Sequence, residues 1–191
     1  MAMSYYAPRC TSLQVSNIPD GVSGGMWLLL SEYFGRYPSQ GKVARLLLSL
    51  GLSVKNGKVH CGDVEIADIA LARAAGVDRR IVRSTVETIE AEGALREVFA
   101  ALHPTAMLRD VAPVMGWSCI EIVPTDAHSS GILEEIMGVI AEGGISVRQA
   151  LVDDPLLMEE PRLYIMTEST VPPEMIPRIK RCRGVKSIIL H

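Results

Sequence analysis

Across residues 117–191 the spacing of apolar side chains switches repeatedly between strand and helix, and few folds accommodate that order. Residues 117–123 are a short apolar, β-branched run with Ser118, Ile120 and Ile122 on one side, ended by Pro124. The turn Thr125-Asp126-Ala127-His128-Ser129-Ser130-Gly131 follows. Ile132, Leu133, Ile136, Met137, Val139 and Ile140 then recur at helical spacing until Gly143 and Gly144. Residues 145–152 alternate again, with Val147, Gln149 and Leu151 on one side and Ser146, Arg148, Ala150 and Val152 on the other. After a loop from Asp153 to Arg162, residues 163–167 read as a third strand. Pro172 and Pro173 open a second helix carrying Met175, Ile176 and Ile179, Gly184 ends it, and residues 185–190 are the last strand.

The order βαββαβ is the plan of a ferredoxin-like fold, in which right-handed crossovers put both helices on one face of four strands. The fold alone does not specify a function, so the chemistry of the first turn decides. Gly131 lets the backbone turn tightly and approach a ligand closely. The first amides of the helix behind it lack internal partners, and a carboxylate fits there. Asp126 could then face a ligand ammonium group, or Asp126 or Ser129 could do no more than cap the helix.

Residues 26–112 read differently. A helix is expected from Met26 through Phe34, and a second over residues 40–50 with Val43, Leu46, Leu47 and Leu50 as its stripe. Asn56-Gly57 between the short β-prone runs 52–54 and 58–61 is a hairpin signal. His60 and Cys61 are neighbours on a strand, point to opposite faces and do not suggest a metal site. Residues 66–75 read as a helix with a small-residue seam, Gly76-Val77-Asp78 as a tight turn with Asp78 as N-cap, and residues 79–89 as a second helix. Ala72, Gly76 and Val82 have helix-turn-helix spacing, and Arg79, Arg80 and Arg83 cluster at the front of the second helix, where a DNA reader meets phosphates or the major groove. Thr85 could point outward as well. Leu95, Val98, Phe99 and Leu102 continue an apolar face to His103-Pro104, and residues 105–115 suggest one more helix before Gly116.

Charge supports DNA binding thinly. Residues 26–112 carry 11 basic and 10 acidic side chains, and residues 113–191 carry 7 and 11. A dedicated DNA binder shows a clearer basic patch, so arginines that are simply solvated or paired remain the alternative. With 48% hydrophobic residues and a net charge of -3 over 191 residues, the chain is globular. Its longest obvious apolar run, Met26 to Leu30, is too short to cross a bilayer, and no secretory signal is recognisable. Cys10, Cys61, Cys119 and Cys182 form no CxxC pair, so free thiols in a reducing cytoplasm are expected and structural zinc is not. No nucleophile elbow, P-loop, GxGxxG or HExxH occurs, and His103 has no triad partner nearby, so no catalytic residue, metal or cofactor is expected. Residues 1–25, rich in Ser, Pro and Gly, read as a flexible arm or an extension, with Met26 available as a start.

Two resemblances sharpen these expectations. Asp126-Ala127-His128-Ser129-Ser130-Gly131-Ile132-Leu133 and Gly143-Gly144-Ile145-Ser146-Val147 resemble the two turns of an ACT domain, the ligand-sensing module of many amino-acid biosynthetic enzymes and regulators. In better-known members the amino acid lies at a dimer interface, between the turn before the first helix and the start of the second strand. The resemblance thus implies Asp126, His128, Gly131, Ile132 and Ser146 as ligand-facing positions. Many ligand-binding members carry Asn where this chain has Ser146, whose side chain has fewer hydrogen-bonding groups.

The chain from Met26 onward is also similar to a family of archaeal proteins described as predicted regulators of amino-acid metabolism, which join a helix-turn-helix region to an ACT domain. Gly51 to Ile66, Val77-Asp78-Arg79-Arg80 and Ile145 to Pro155 carry that match. The expectation is therefore an α+β chain: residues 26–112 a mainly helical helix-turn-helix domain with a small hairpin, residues 113–191 a ferredoxin-like ACT domain. The expected function is a cytoplasmic, homodimeric regulator that binds an amino acid and couples this to double-stranded DNA through Arg79, Arg80 and Arg83. The alternative is a regulatory subunit that binds an amino acid and docks on a metabolic enzyme without touching DNA.

Overall fold

The computed structural model describes residues 25–191; the expected arm lies outside them, apart from Gly25, which opens the first helix. The architecture is mixed α+β with two antiparallel sheets, and the described residues divide into two compact units, with the division between Pro104 and Thr105. No helix among the described residues is long and apolar enough to cross a membrane.

In the first unit, α1 (Gly25–Phe34) and α2 (Pro38–Ser49) precede three short strands, β1 (Ser53–Lys55), β2 (Lys58–Cys61) and β3 (Val64–Ile66), and three helices, α3 (Asp68–Ala75), α4 (Arg79–Ala91) and α5 (Gly93–Ala101). Asn56 and Gly57 both take positive φ, the two-residue turn that matches strand twist, and pair Val54 with Val59. The Glu90 side chain accepts a hydrogen bond from the Gly57 amide, which ties this turn to α4. The expected helix start at Ile66 is corrected. A second tight turn at Gly62-Asp63 pairs Val59 with Ile66, so Ile66 ends a third strand and the helix begins at Asp68. Val43, Leu47, Val82, Ile89, Leu95 and Phe99 are fully buried in one core. Burying side chains of this size contributes about 1.5–3 kcal/mol each, which is what holds short helices together in water.

In the second unit, β4 (Cys119–Pro124), α6 (Ile132–Glu142), β5 (Val147–Val152), β6 (Leu163–Thr167), α7 (Ile176–Lys180) and β7 (Val185–Leu190) follow in chain order. The sheet runs β5-β6-β4-β7 with every pair antiparallel. Ile120, Ile122, Ile136, Ile140, Ile165 and Ile179 form the core between sheet and helices. The simple alternation expected along β5 is broken by a bulge: Val147 pairs with Thr167, yet Gln149 pairs with Met166. Residues directly opposite share a face. Val147 therefore joins Ala150 and Val152 on the helix face, while Gln149 and Leu151 turn to the other.

That other face is covered by residues 105–117, and here one expectation gives way. The helix expected over residues 105–115 is replaced by an extended stretch, a turn and a single 3-10 turn at Pro113–Met115. Pro113 has no amide to donate inside such a helix. The Gln149 side chain takes the backbone groups a helix would need, donating to Ala106 O at 2.8 Å and accepting from Leu108 N at 2.9 Å. Leu108, Ala112 and Trp117 then pack on Cys119, Met166 and Tyr164.

Candidate functional site

Two surfaces carry the candidate residues, one in each unit. In the first, α3 and α4 meet through Gly76, which sits in the left-handed region at φ 64, ψ 41 and lets the Val77 amide reach back to Ala72 O at 3.0 Å. Asp78 caps α4 by accepting from the Arg80 amide at 2.8 Å. Ala72 and Val82 are buried at the crossing. Thr85 is fully buried and donates to Ile81 O at 2.7 Å, so it does not reach solvent. The inward face of α4 leaves it no other direction.

Arg79, Arg80 and Arg83 are all exposed on the first two turns of α4. Arg83 lies 3.6 Å from the Asp68 carboxylate, whereas Arg79 and Arg80 have no ion-pair partner among the described residues. An exposed pair of that kind contributes at most about 1 kcal/mol, so a phosphate can compete with Asp68 for Arg83. Glu87 is exposed one turn further on, which limits the basic face to the front of the helix. Ser84, one turn after Arg80, accepts from Gln40 Nε2 at 2.9 Å, so the first turn of α2 borders the same surface. No local pattern signals a bond between residues so far apart in sequence.

In the second unit the turn after β4 is held by its own side chains. Asp126 Oδ1 accepts from the His128 amide at 3.0 Å and lies 3.3 Å from His128 Nδ1, while Oδ2 accepts from Ser129 Oγ at 3.1 Å. The His128 amide, then the Ser129 hydroxyl, hold the Asp126 carboxyl below the usual carboxylate range. Neither Asp126 nor Ser129 caps α6. The residue before that helix is Gly131, at φ 89, and no side chain bonds its first amides. The first backbone bond at this end runs from Glu135 N to Gly131 O, which leaves the amides of residues 132–134 open.

A cavity of about 140 Å³ lies between this turn, the start of α6, the end of β5 and the start of β6. Gly131 and Ile132 line it with Ser129, as do four positions that sequence reasoning missed, Val152, Asp153, Arg162 and Leu163. The loop of residues 153–162 carries no motif of its own, and only strand pairing brings its ends to the turn. Asp126 and His128 do not line this cavity. They face a more open groove on the other side of the turn, together with Glu159, Glu160 and Lys186. Ser146 is at the far end of the sheet, where its carbonyl accepts from Glu168 N at 2.8 Å, so a single chain does not bring it to the others.

Beside the cavity, Arg162 donates to Glu121 at 2.8 Å and to Glu160 at 2.7 Å, and His191 Nε2 lies 2.7 Å from the second Glu121 oxygen. Glu121 is buried and thus satisfied on both oxygens. Among the described residues, no three His, Cys, Asp or Glu side chains converge to hold a metal ion.

No family model and no curated protein matches the chain. Among solved structures, a crystal structure of an AsnC family transcriptional regulator from Agrobacterium tumefaciens is similar at 15% sequence identity over 80% of this chain and 86% of that one, with a TM-score of 0.27. A superposition that loose carries no argument about this chain.

Proposed function

We propose that this protein is an amino-acid-responsive transcription regulator. In this reading α3 and α4 form a helix-turn-helix that places Arg79, Arg80 and Arg83 on double-stranded DNA, and the second unit is a ferredoxin-like, ACT-type sensor. The observation that carries the DNA side is the pair Arg79 and Arg80, which are exposed at the capped front of α4 and have no ion-pair partner among the described residues. The sensor side is supported by an apolar cavity that opens on Gly131 and Ile132, beside free helix amides. Asp126 and His128 shape the turn from its other side, and Ser146 reaches a ligand only from a second subunit, so the sensor works as a homodimer. The protein acts in the cytoplasm.

The experiment is an electrophoretic or anisotropy titration of genomic DNA fragments, with and without each amino acid, across a salt series. Salt-dependent binding that an amino acid alters is the expected result. A second reading, a regulatory subunit docked on a metabolic enzyme, is favoured by Asp68 beside Arg83 and by the acidic Glu87 on the same helix. Amino-acid binding without any DNA binding would select it.

A further inference from the structure

Resting on the amino-acid-sensing reading above, we propose that the cavity at Gly131 takes a small aliphatic amino acid, and that Asp153 receives its ammonium group. The walls decide the side chain. Ile122, Ala127, Ile132, Leu133, Val152 and Leu163 contribute most of its lining, which is predominantly apolar. At about 140 Å³ the space is well below the roughly 300–1,000 Å³ of sites for drug-sized ligands. It is close to the ~150 Å³ of an apolar cavity that takes up a six-carbon ring. A branched side chain of three or four carbons fills such a space. Leu133 and Val152 stand at it with 38% and 59% of their surface exposed, apolar area that a bound aliphatic group would cover.

Charge decides the rest. Asp126 does not line the cavity, and its two oxygens already serve the turn. Asp153 does line it, directly after β5. Its Oδ2 accepts from the Arg162 amide at 3.1 Å, and its own amide donates to Arg162 O at 2.9 Å, so its position is set. Its Oδ1 has no partner among the described residues. Arg162 also lines the cavity, but Glu121 and Glu160 neutralise its guanidinium. The lining residues therefore include one carboxylate with an oxygen to spare and no cation without an ionic partner. A ligand ammonium matches the carboxylate. A second carboxylate, as in glutamate, would find no counter-charge, and the ammonium of a lysine side chain would be desolvated against apolar walls.

The test is calorimetric titration and thermal shift of the full chain with L-valine, L-leucine, L-isoleucine, L-glutamate, L-lysine and 4-methylpentanoate, which is leucine without its ammonium group. The three aliphatic amino acids should bind and raise Tm, with glutamate, lysine and 4-methylpentanoate weaker by about tenfold or more, the loss expected for one charged hydrogen bond. Asp153→Asn keeps an acceptor for the Arg162 amide and should weaken leucine by about the same factor, with no change for 4-methylpentanoate. Val152→Asp, at an exposed position, should abolish leucine binding while circular dichroism stays that of the parent. Leucine bound as tightly by Asp153→Asn as by the parent overturns the assignment, as does leucine no tighter than glutamate. If another class of amino acid binds instead, the sensing reading stands and this proposal falls. If none of the twenty binds, both fall.

Discussion

Gln149, on edge strand β5, accepts from the backbone amide of Leu108 at 2.9 Å, and the same side chain donates to Ala106 O. One amide thus fixes the segment that enters this unit, and it stands on the strand whose end lines the cavity. Gln149→Ala removes two neutral hydrogen bonds, each contributing about 0.5–1.5 kcal/mol. Ala106 is exposed and water replaces part of the loss, so a destabilisation of about 1–2 kcal/mol is expected in chemical denaturation. Hydrogen exchange at Leu108 should quicken in the variant; protection equal to the parent's would show that the clamp does not hold the segment.

Replacing Arg79, Arg80 and Arg83 together by Ala should weaken DNA binding and flatten its salt dependence. The log–log slope should fall by about 0.9 for each phosphate that the arginines no longer neutralise. The fold should survive, because all three side chains are exposed. An unchanged slope would move the nucleic-acid face elsewhere.

The Asp126 turn should be sensitive to acid. Its carboxyl is held below its ordinary value by the His128 amide and the Ser129 hydroxyl, so the charged form is favoured in the folded chain. The stabilisation is therefore complete above the unfolded value of about 3.9 and is lost as pH falls through the depressed folded value. In Asp126→Asn that acid limb should flatten. NMR titration of the Asp126 side chain measures the shift directly, and an ordinary carboxylate midpoint would contradict the turn geometry.

Glu121 lies buried between Arg162 and His191. Arg162→Met should leave it with one partner. The resulting loss of stability comes from a buried carboxylate left without its guanidinium partner. Glu121→Gln/Arg162→Met should recover part of it, because the buried charge is gone. Urea denaturation of both variants makes the comparison.

Self-association is expected through the second unit. Ile189 and Leu190 on edge strand β7 are 40% and 52% exposed, an apolar edge that a second copy would cover. Light scattering at micromolar concentration should give twice the 20.8 kDa chain mass. A monomer would leave Ser146 without a route to the ligand.

Local chemistry was enough to read much of this protein. The order of strands and helices over residues 119–190 follows from side-chain periodicity, and Asp78 as cap and Gly76 in the left-handed region follow from preferences confined to a single turn. The Asn56-Gly57 hairpin does too. What the sequence could not supply are partnerships between residues far apart in the chain. A bulge at Arg148 reversed the faces of β5, because pairing with β6 rather than alternation sets register. Residues 105–115 have helical spacing, but the Gln149 amide and Pro113 claim the backbone groups a helix would use. The positions that line the cavity divide in the same way. Gly131 and Ile132 are legible because the turn and the helix start define them, whereas Asp153 and Arg162 reach the cavity only when β5 and β6 close beside β4. Turns and caps are short-range free energies written in a few consecutive residues; a cavity is a property of chain segments that only the folded core brings together.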